Sequence, residues 1–68
     1  MTPSEAIKSL LTHGMTESAI GEAVGARQST VNRIKRGDML PNWETGQKLV
    51  QLAMTRLAAA NDDPAEAA

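Results

Sequence analysis

Gly21, Gly25 and Gly37 divide the middle of this chain into two short amphipathic segments and leave few ways for it to fold. The stretch from Thr16 to Gly37 reads TESAIGEAVGARQSTVNRIKRG. Ile20, Ala23 and Val24 recur at helical spacing in the first segment, as Val31 and Ile34 do in the second. Gly25 and Gly37 stand where helices commonly end on a left-handed residue. Gly21 lies inside the first segment, where glycine costs about 1 kcal/mol relative to alanine. A glycine there implies a close approach where two helices meet. Two helices crossing steeply through a tight glycine turn form a helix-turn-helix, with Thr16 capping the first and Gln28 to Arg36 forming the second. Ile20, Val24, Ala26, Val31 and Ile34 wedge the pair against the rest of the domain. A plain helical hairpin would share the apolar spacing but not both interior glycines.

The flanking sequence is helical too. Thr2-Pro3-Ser4-Glu5 offers a threonine N-cap, proline at the first helical position and glutamate at the third. Ala6, Ile7, Leu10 and Leu11 then share one face as far as Gly14. His13, beside that end, suits the negative pole of the helix dipole and has no neighbouring ligand types. Asn42 caps a last helix from Trp43 to about Ala60, with Gly46, Leu49, Val50, Ala53 and Leu57 as its apolar stripe. Met39 and Leu40, in the preceding loop, are expected to fold onto the core. No segment alternates like a strand. The expectation is an all-α, compact domain of four to five helices over residues 1–60. A disordered acidic tail is expected over 61–68.

Size and composition exclude several classes. A single domain of 68 residues buries only about 60% of its unfolded surface. With no cysteine and one histidine, neither disulfides nor zinc can staple it, so a homodimer is the expected source of extra stability. The same scarcity, the lack of a glycine-rich phosphate loop and the short chain argue against an enzyme, a metal, a cofactor or a small-molecule substrate. No apolar run approaches the roughly 20 residues of a membrane span, and no basic-then-apolar leader is present; a cytoplasmic protein of a bacterial cell is expected. The net charge of −1 conceals an asymmetry: Asp62, Asp63 and Glu66 lie in the last eight residues, so residues 1–60 carry seven cations against five acids. Arg27, Arg33, Lys35 and Arg36 fall within ten residues free of acid. Local potential of this kind, more than total charge, governs nucleic-acid binding.

The core of the pattern, GARQSTVNRI, resembles the lambda-repressor and Cro-like (XRE-like) helix-turn-helix family of phage and bacterial regulators, with its Gly-x-x-Gln-Ser-x-Val start of the recognition helix. PNWETGQKLVQLA is similar to the helix that follows the motif in small prophage regulators. The likeness spans residues 15–53. It implies a lambda-repressor-like fold that binds palindromic operator DNA as a dimer and usually represses transcription. Two positions depart from the family. Arg27 stands where the recognition helix commonly has a Ser or Thr cap, exchanging a cap worth about 1 kcal/mol for a cation within reach of a phosphate. Glu17 stands where the family often has a backbone-touching Gln. A carboxylate repels phosphate, so Glu17 fits such a surface only if it turns toward Arg27 or Arg33.

With Val31 and Ile34 pointing inward, the opposite face of the second helix centres on Ser29, Asn32, Arg33 and Arg36, with Gln28 at its edge. Gln and Asn pair bidentately with adenine, Arg with guanine, and Ser with either. Gln28, Ser29, Asn32 and Arg33, nearest the helix start, are the expected base readers; the bland alternative for each is an ordinary solvated residue. Thr16 and the free amides behind it suit a phosphate. Asn42, Thr45 and Lys48 form a second such group, to which the resemblance also assigns backbone contacts near Asn42 and Thr45. Lys35 and Arg36 would flank the groove. Trp43, with Leu52, Met54 and Leu57, is the candidate dimer interface, though Trp43 could equally close a core that has no Phe or Tyr. The expected function is a sequence-specific DNA-binding regulator, a Cro-like repressor. The alternative is a protein-interaction module, an antitoxin or adaptor, reusing the same fold.

Overall fold

The computed structural model describes the backbone of residues 1–61 and the side chains of residues 1–58. Four helices follow one another: α1 (Pro3–Thr12), α2 (Glu17–Val24), α3 (Gln28–Arg36) and α4 (Trp43–Asn61). The described residues include no strand, and the domain is all-α. The acidic tail expected over 61–68 lies outside the described residues except for Asn61, which ends α4.

Each helix starts where its local chemistry dictates. Thr2 and Glu5 close a reciprocal capping box on α1, with the Thr2 amide donating to Glu5 Oε1 at 2.8 Å and the Glu5 amide to Thr2 Oγ1 at 3.1 Å. These bonds, the Thr2 amide first, hold the Glu5 carboxyl below its usual range. Thr16 Oγ1 accepts from the Ala19 amide at 3.1 Å to cap α2, and Asn42 Oδ1 accepts from the Thr45 amide at 2.8 Å to cap α4. α1 ends at His13, whose Nδ1 lies 2.8 Å from the Ser9 carbonyl.

The core is entirely aliphatic. Ala6, Ile7 and Leu10 of α1 meet Ile20 and Val24 of α2, Val31 and Ile34 of α3, and Leu49 and Ala53 of α4. α1 lies at the centre and touches the other three helices. A side-chain bond adds to this packing: Ser4 Oγ donates to the Lys35 carbonyl at 2.9 Å and ties the start of α1 to the end of α3.

Two expectations about packing are overturned. Ala23 is exposed, because the buried line of α2 runs through Ile20, Gly21 and Val24 and leaves Ala23 to one side. Met39 and Leu40 do not fold onto the core; they are 38% and 89% exposed. Pro41 turns inward instead, and with Pro3 it closes over Gly46, where a Cβ would lie 3.3–3.4 Å from both rings. The expected stripe of α4 does face inward: Gly46, Leu49 and Ala53 are buried, Val50 packs half-buried against the core, and Leu57 is half-buried.

The α2–α3 junction leaves no room for a side chain at Gly21. Gly25 adopts φ 76°, and the Ala26 amide donates back to the Gly21 carbonyl at 2.8 Å. A Cβ on Gly21 would stand 2.5 Å from the Ala26 carbonyl oxygen, which is backbone and cannot swing away. Gly21→Ala is therefore expected to destabilise the domain by about 1–3 kcal/mol despite alanine's better helix propensity. A thermal melt followed by circular dichroism checks this; an unchanged or higher Tm would refute the close approach as the reason for glycine.

Candidate nucleic-acid interface

The residues of α3 sort into rows, because each advances about 100° around the axis, and Val31 and Ile34 form the buried one. Gln28, Asn32 and Lys35 face the start of α2. Ser29, Arg33 and Arg36 form the outward row and are all exposed. Thr30 is half-buried on the remaining flank, in a recess that Asn42 and Thr45 also line. Glycine ends the helix: Gly37 has φ 83°, its amide donates to the Ile34 carbonyl at 3.1 Å, and the Asp38 amide donates to the Arg33 carbonyl at 3.0 Å.

All four expected base readers come together. Gln28, Ser29, Asn32 and Arg33 line one open recess of about 620 Å³ with Arg36, Glu17 and Asp38. The expected backbone-binding residues divide. Arg27, Asn42 and Thr45 share a second recess on the opposite flank of α3, together with Thr30 and Met39. Thr16 stands at the start of α2 with its hydroxyl oxygen already accepting the Ala19 amide. In the same way Asn42 Oδ1 is taken up by the Thr45 amide, and neither the Thr45 hydroxyl nor the Asn42 amino group makes a side-chain hydrogen bond among the described residues. Lys48 lines neither recess and lies 4.0 Å from Glu44 one turn back, an exposed pair of small energetic weight.

The acids on this surface were not foreseen in their arrangement. Glu17 turns toward neither Arg27 nor Arg33. Its Oε2 accepts from Asn32 Nδ2 at 3.0 Å and lies 3.1 Å from Lys35 Nζ. The row geometry explains why: Asn32 and Lys35 sit one turn apart on the side facing α2, whereas Arg33 points outward. The Asn32 hydrogen bond first, then Lys35, holds the Glu17 carboxyl below its ordinary range. Arg36 Nε lies 3.5 Å from Asp38 across the Gly37 turn. Of the cations clustered here, Arg27 and Arg33 form no ion pair among the described residues. Sequence spacing alone could have suggested the Arg36–Asp38 pair, but the Glu17 contacts need the crossing of α2 and α3.

The expected interface residues also separate. Trp43 does not close the core: it is 77% exposed, and Met54 is 59% exposed. Leu52 lies about half a turn away from both around α4 and packs against the core, so it does not share their face. Trp43, Gln47, Val50, Met54 and Leu57 instead follow one another at alternating spacings of four and three. At the upper end of this line Trp43 and Val50 join Pro3, Leu40, Pro41 and Gly46 around an apolar recess of about 410 Å³.

No family model, curated protein or solved structure matches the chain.

α3 begins without a side-chain cap, since Arg27 makes none. Arg27→Ser is expected to stabilise the domain by about 0.5–1 kcal/mol, a rise of a few degrees in Tm. If Arg27 also meets a phosphate, the same variant binds duplex DNA more weakly with a shallower salt dependence. Melting and a salt titration of binding read the two effects separately; a lower Tm would refute the missing cap.

Proposed function

We propose that the protein is a sequence-specific DNA-binding regulator, a Cro-like repressor, in which α2 and α3 act as the helix-turn-helix and α3 enters the major groove. The observation that carries this reading is the outward row of α3. Ser29, Arg33 and Arg36 are exposed, no other part of the described chain covers them, and Gln28 and Asn32 stand alongside. Arg33 is the central cation and has no acid to neutralise it among the described residues. Arginine at such a position suits the O6 and N7 acceptors of guanine, and Gln28 suits adenine. Arg27, Asn42 and Thr45 flank the row on the α4 side and suit the phosphate backbone.

Selection from a randomised duplex pool tests the reading, with an enriched motif as the expected result. Failure to enrich any sequence at moderate salt refutes it. Arg33→Ala should then lose discrimination at one base pair, worth about 1–3 kcal/mol. Lys48→Ala should weaken all sequences alike and flatten the salt slope. Equal patterns from both variants would contradict the division between reading and anchoring.

A palindromic operator is read by two copies, and the α4 seam supports a second copy as its occupant. Spacings of four and three keep one stripe facing a partner helix, and the stripe from Trp43 to Leu57 contains no charged side chain. Two identical charged faces would repel, whereas this neutral one does not. The same patch holds both projections, Leu40 and Trp43, and the recess beside them, as a two-fold interface requires. Met54→Glu, at an exposed position, is expected to leave the fold intact and shift sedimentation toward monomer. It should lower affinity for a full palindrome by about tenfold while sparing a half-site, because the second binding event loses its linkage. Trp43, the single tryptophan, reports on the same face through its fluorescence. A wild-type chain that stays monomeric at all concentrations and on DNA would refute the seam; retention of a different protein with no DNA bound would favour the adaptor reading.

A further inference from the structure

Glu17 is a carboxylate on the surface assigned to DNA, and both of its close partners belong to α3. Its side chain is only 18% exposed, and it sits between Asn32 at 3.0 Å and Lys35 at 3.1 Å. Asn32 is half-buried at the rim of the reading recess, beside Gln28 and Arg33.

An ionised carboxylate can only accept hydrogen bonds. An asparagine amide has two ends of similar shape, one accepting and one donating. Asn32 must therefore turn its amino group, and not its carbonyl, toward Glu17. Lys35 approaches the same carboxylate oxygen from the next turn of the row and keeps it charged and in place. The contact uses one amino hydrogen of Asn32. The second N–H and Oδ1 remain, and together they form the donor–acceptor pair that addresses N7 and the N6 amino group of adenine. With the amide reversed, an N–H would meet the N6 amino group, donor against donor.

We propose that Glu17 is the positioning residue that sets the base specificity of Asn32, fixing its amide so that it reads adenine at one base pair. The inference rests on the reading of α3 as the groove-entering helix. The same side chain has two consequences of opposite sign. The negative charge lowers affinity for every duplex, because it opposes the phosphates. The acceptor raises discrimination at one position, because it removes the amide's alternative orientation. Glutamine is nearly the same shape and carries no charge, but Lys35 can only donate and draws its Oε1 toward the same place, so Glu17→Gln removes the charge and loosens the acceptor, whereas Glu17→Ala removes both.

The test compares the full wild-type chain with Glu17→Gln, Glu17→Ala, Asn32→Ala and the Glu17→Gln/Asn32→Ala double variant. All are selected against one randomised duplex pool and then measured by competition binding at a single salt concentration. In the wild-type motif, the pair read by Asn32 should favour adenine by about tenfold or more, as a bidentate contact allows. Asn32→Ala identifies that pair by flattening it. Glu17→Ala should flatten the same pair to within about twofold and Glu17→Gln should flatten it less, both raising affinity for unrelated duplex, and the double variant should show no flattening beyond that of Asn32→Ala, as expected of residues acting through one contact. Higher affinity with every base preference intact would overturn the proposal and leave Glu17 as a simple charge. Flattening at a different pair from that of Asn32→Ala would overturn it as well. A wild-type chain that enriches no sequence would overturn the DNA-binding reading itself, and this inference with it, a result distinct from either of the others.

Discussion

The approach of the Ala26 carbonyl to the α-carbon of Gly21 governs the geometry of everything around it. No side chain fits between them, since even a methyl group would lie 2.5 Å from the oxygen. Gly25 makes the approach reachable by taking φ 76°, a conformation that other residues enter at a cost. The angle between α2 and α3 follows from these two residues. From that angle follow the burial of Val31 and Ile34, the outward direction of Ser29, Arg33 and Arg36, and the meeting of Glu17 with Asn32 and Lys35. A crossing set by backbone contact is stiff, because neither partner has rotamers through which to yield.

The remaining packing has to hold that unit with little material. The buried residues are Ile, Leu, Val and Ala, and the chain has neither Phe nor Tyr. Each of the larger buried side chains contributes about 1.5–3 kcal/mol relative to exposure, so few are dispensable in a domain of this size. The one large aromatic, Trp43, lies mostly outside this core. Small contacts compensate at the edges. Ser4 ties α1 to the end of α3 through the Lys35 carbonyl, a group that the helix itself leaves without a partner. Pro3 and Pro41 close over Gly46 with rigid rings where a flexible side chain would have had to be ordered.

Much of this was legible in the sequence, for local reasons. The caps at Thr2, Thr16 and Asn42, the left-handed glycines and the uncapped start at Arg27 depend on residues within a few positions of one another. The inward positions of Val31 and Ile34 follow from helical period, and so does the grouping of Gln28, Ser29, Asn32 and Arg33. What the sequence did not reveal depends on how separate helices meet. Glu17 reaches Asn32 rather than an arginine because of the crossing of α2 and α3. Leu40 is exposed because Pro41 fills the place over Gly46, and nothing in the hydrophobicity of either residue ranks one above the other. Leu52 and Met54 are two residues apart and point to nearly opposite sides of α4, a distinction that depends on which face α1 covers.

The rows of α3 make different contacts within the protein. Val31 and Ile34 seat the helix, Asn32 and Lys35 engage α2, and Ser29, Arg33 and Arg36 do neither. Substitutions in that last row cross no packing boundary and leave no buried group without a partner. The scaffold can thus exchange those three letters without renegotiating its architecture, and under the proposed reading drift there is a cheap evolutionary path from one target to another.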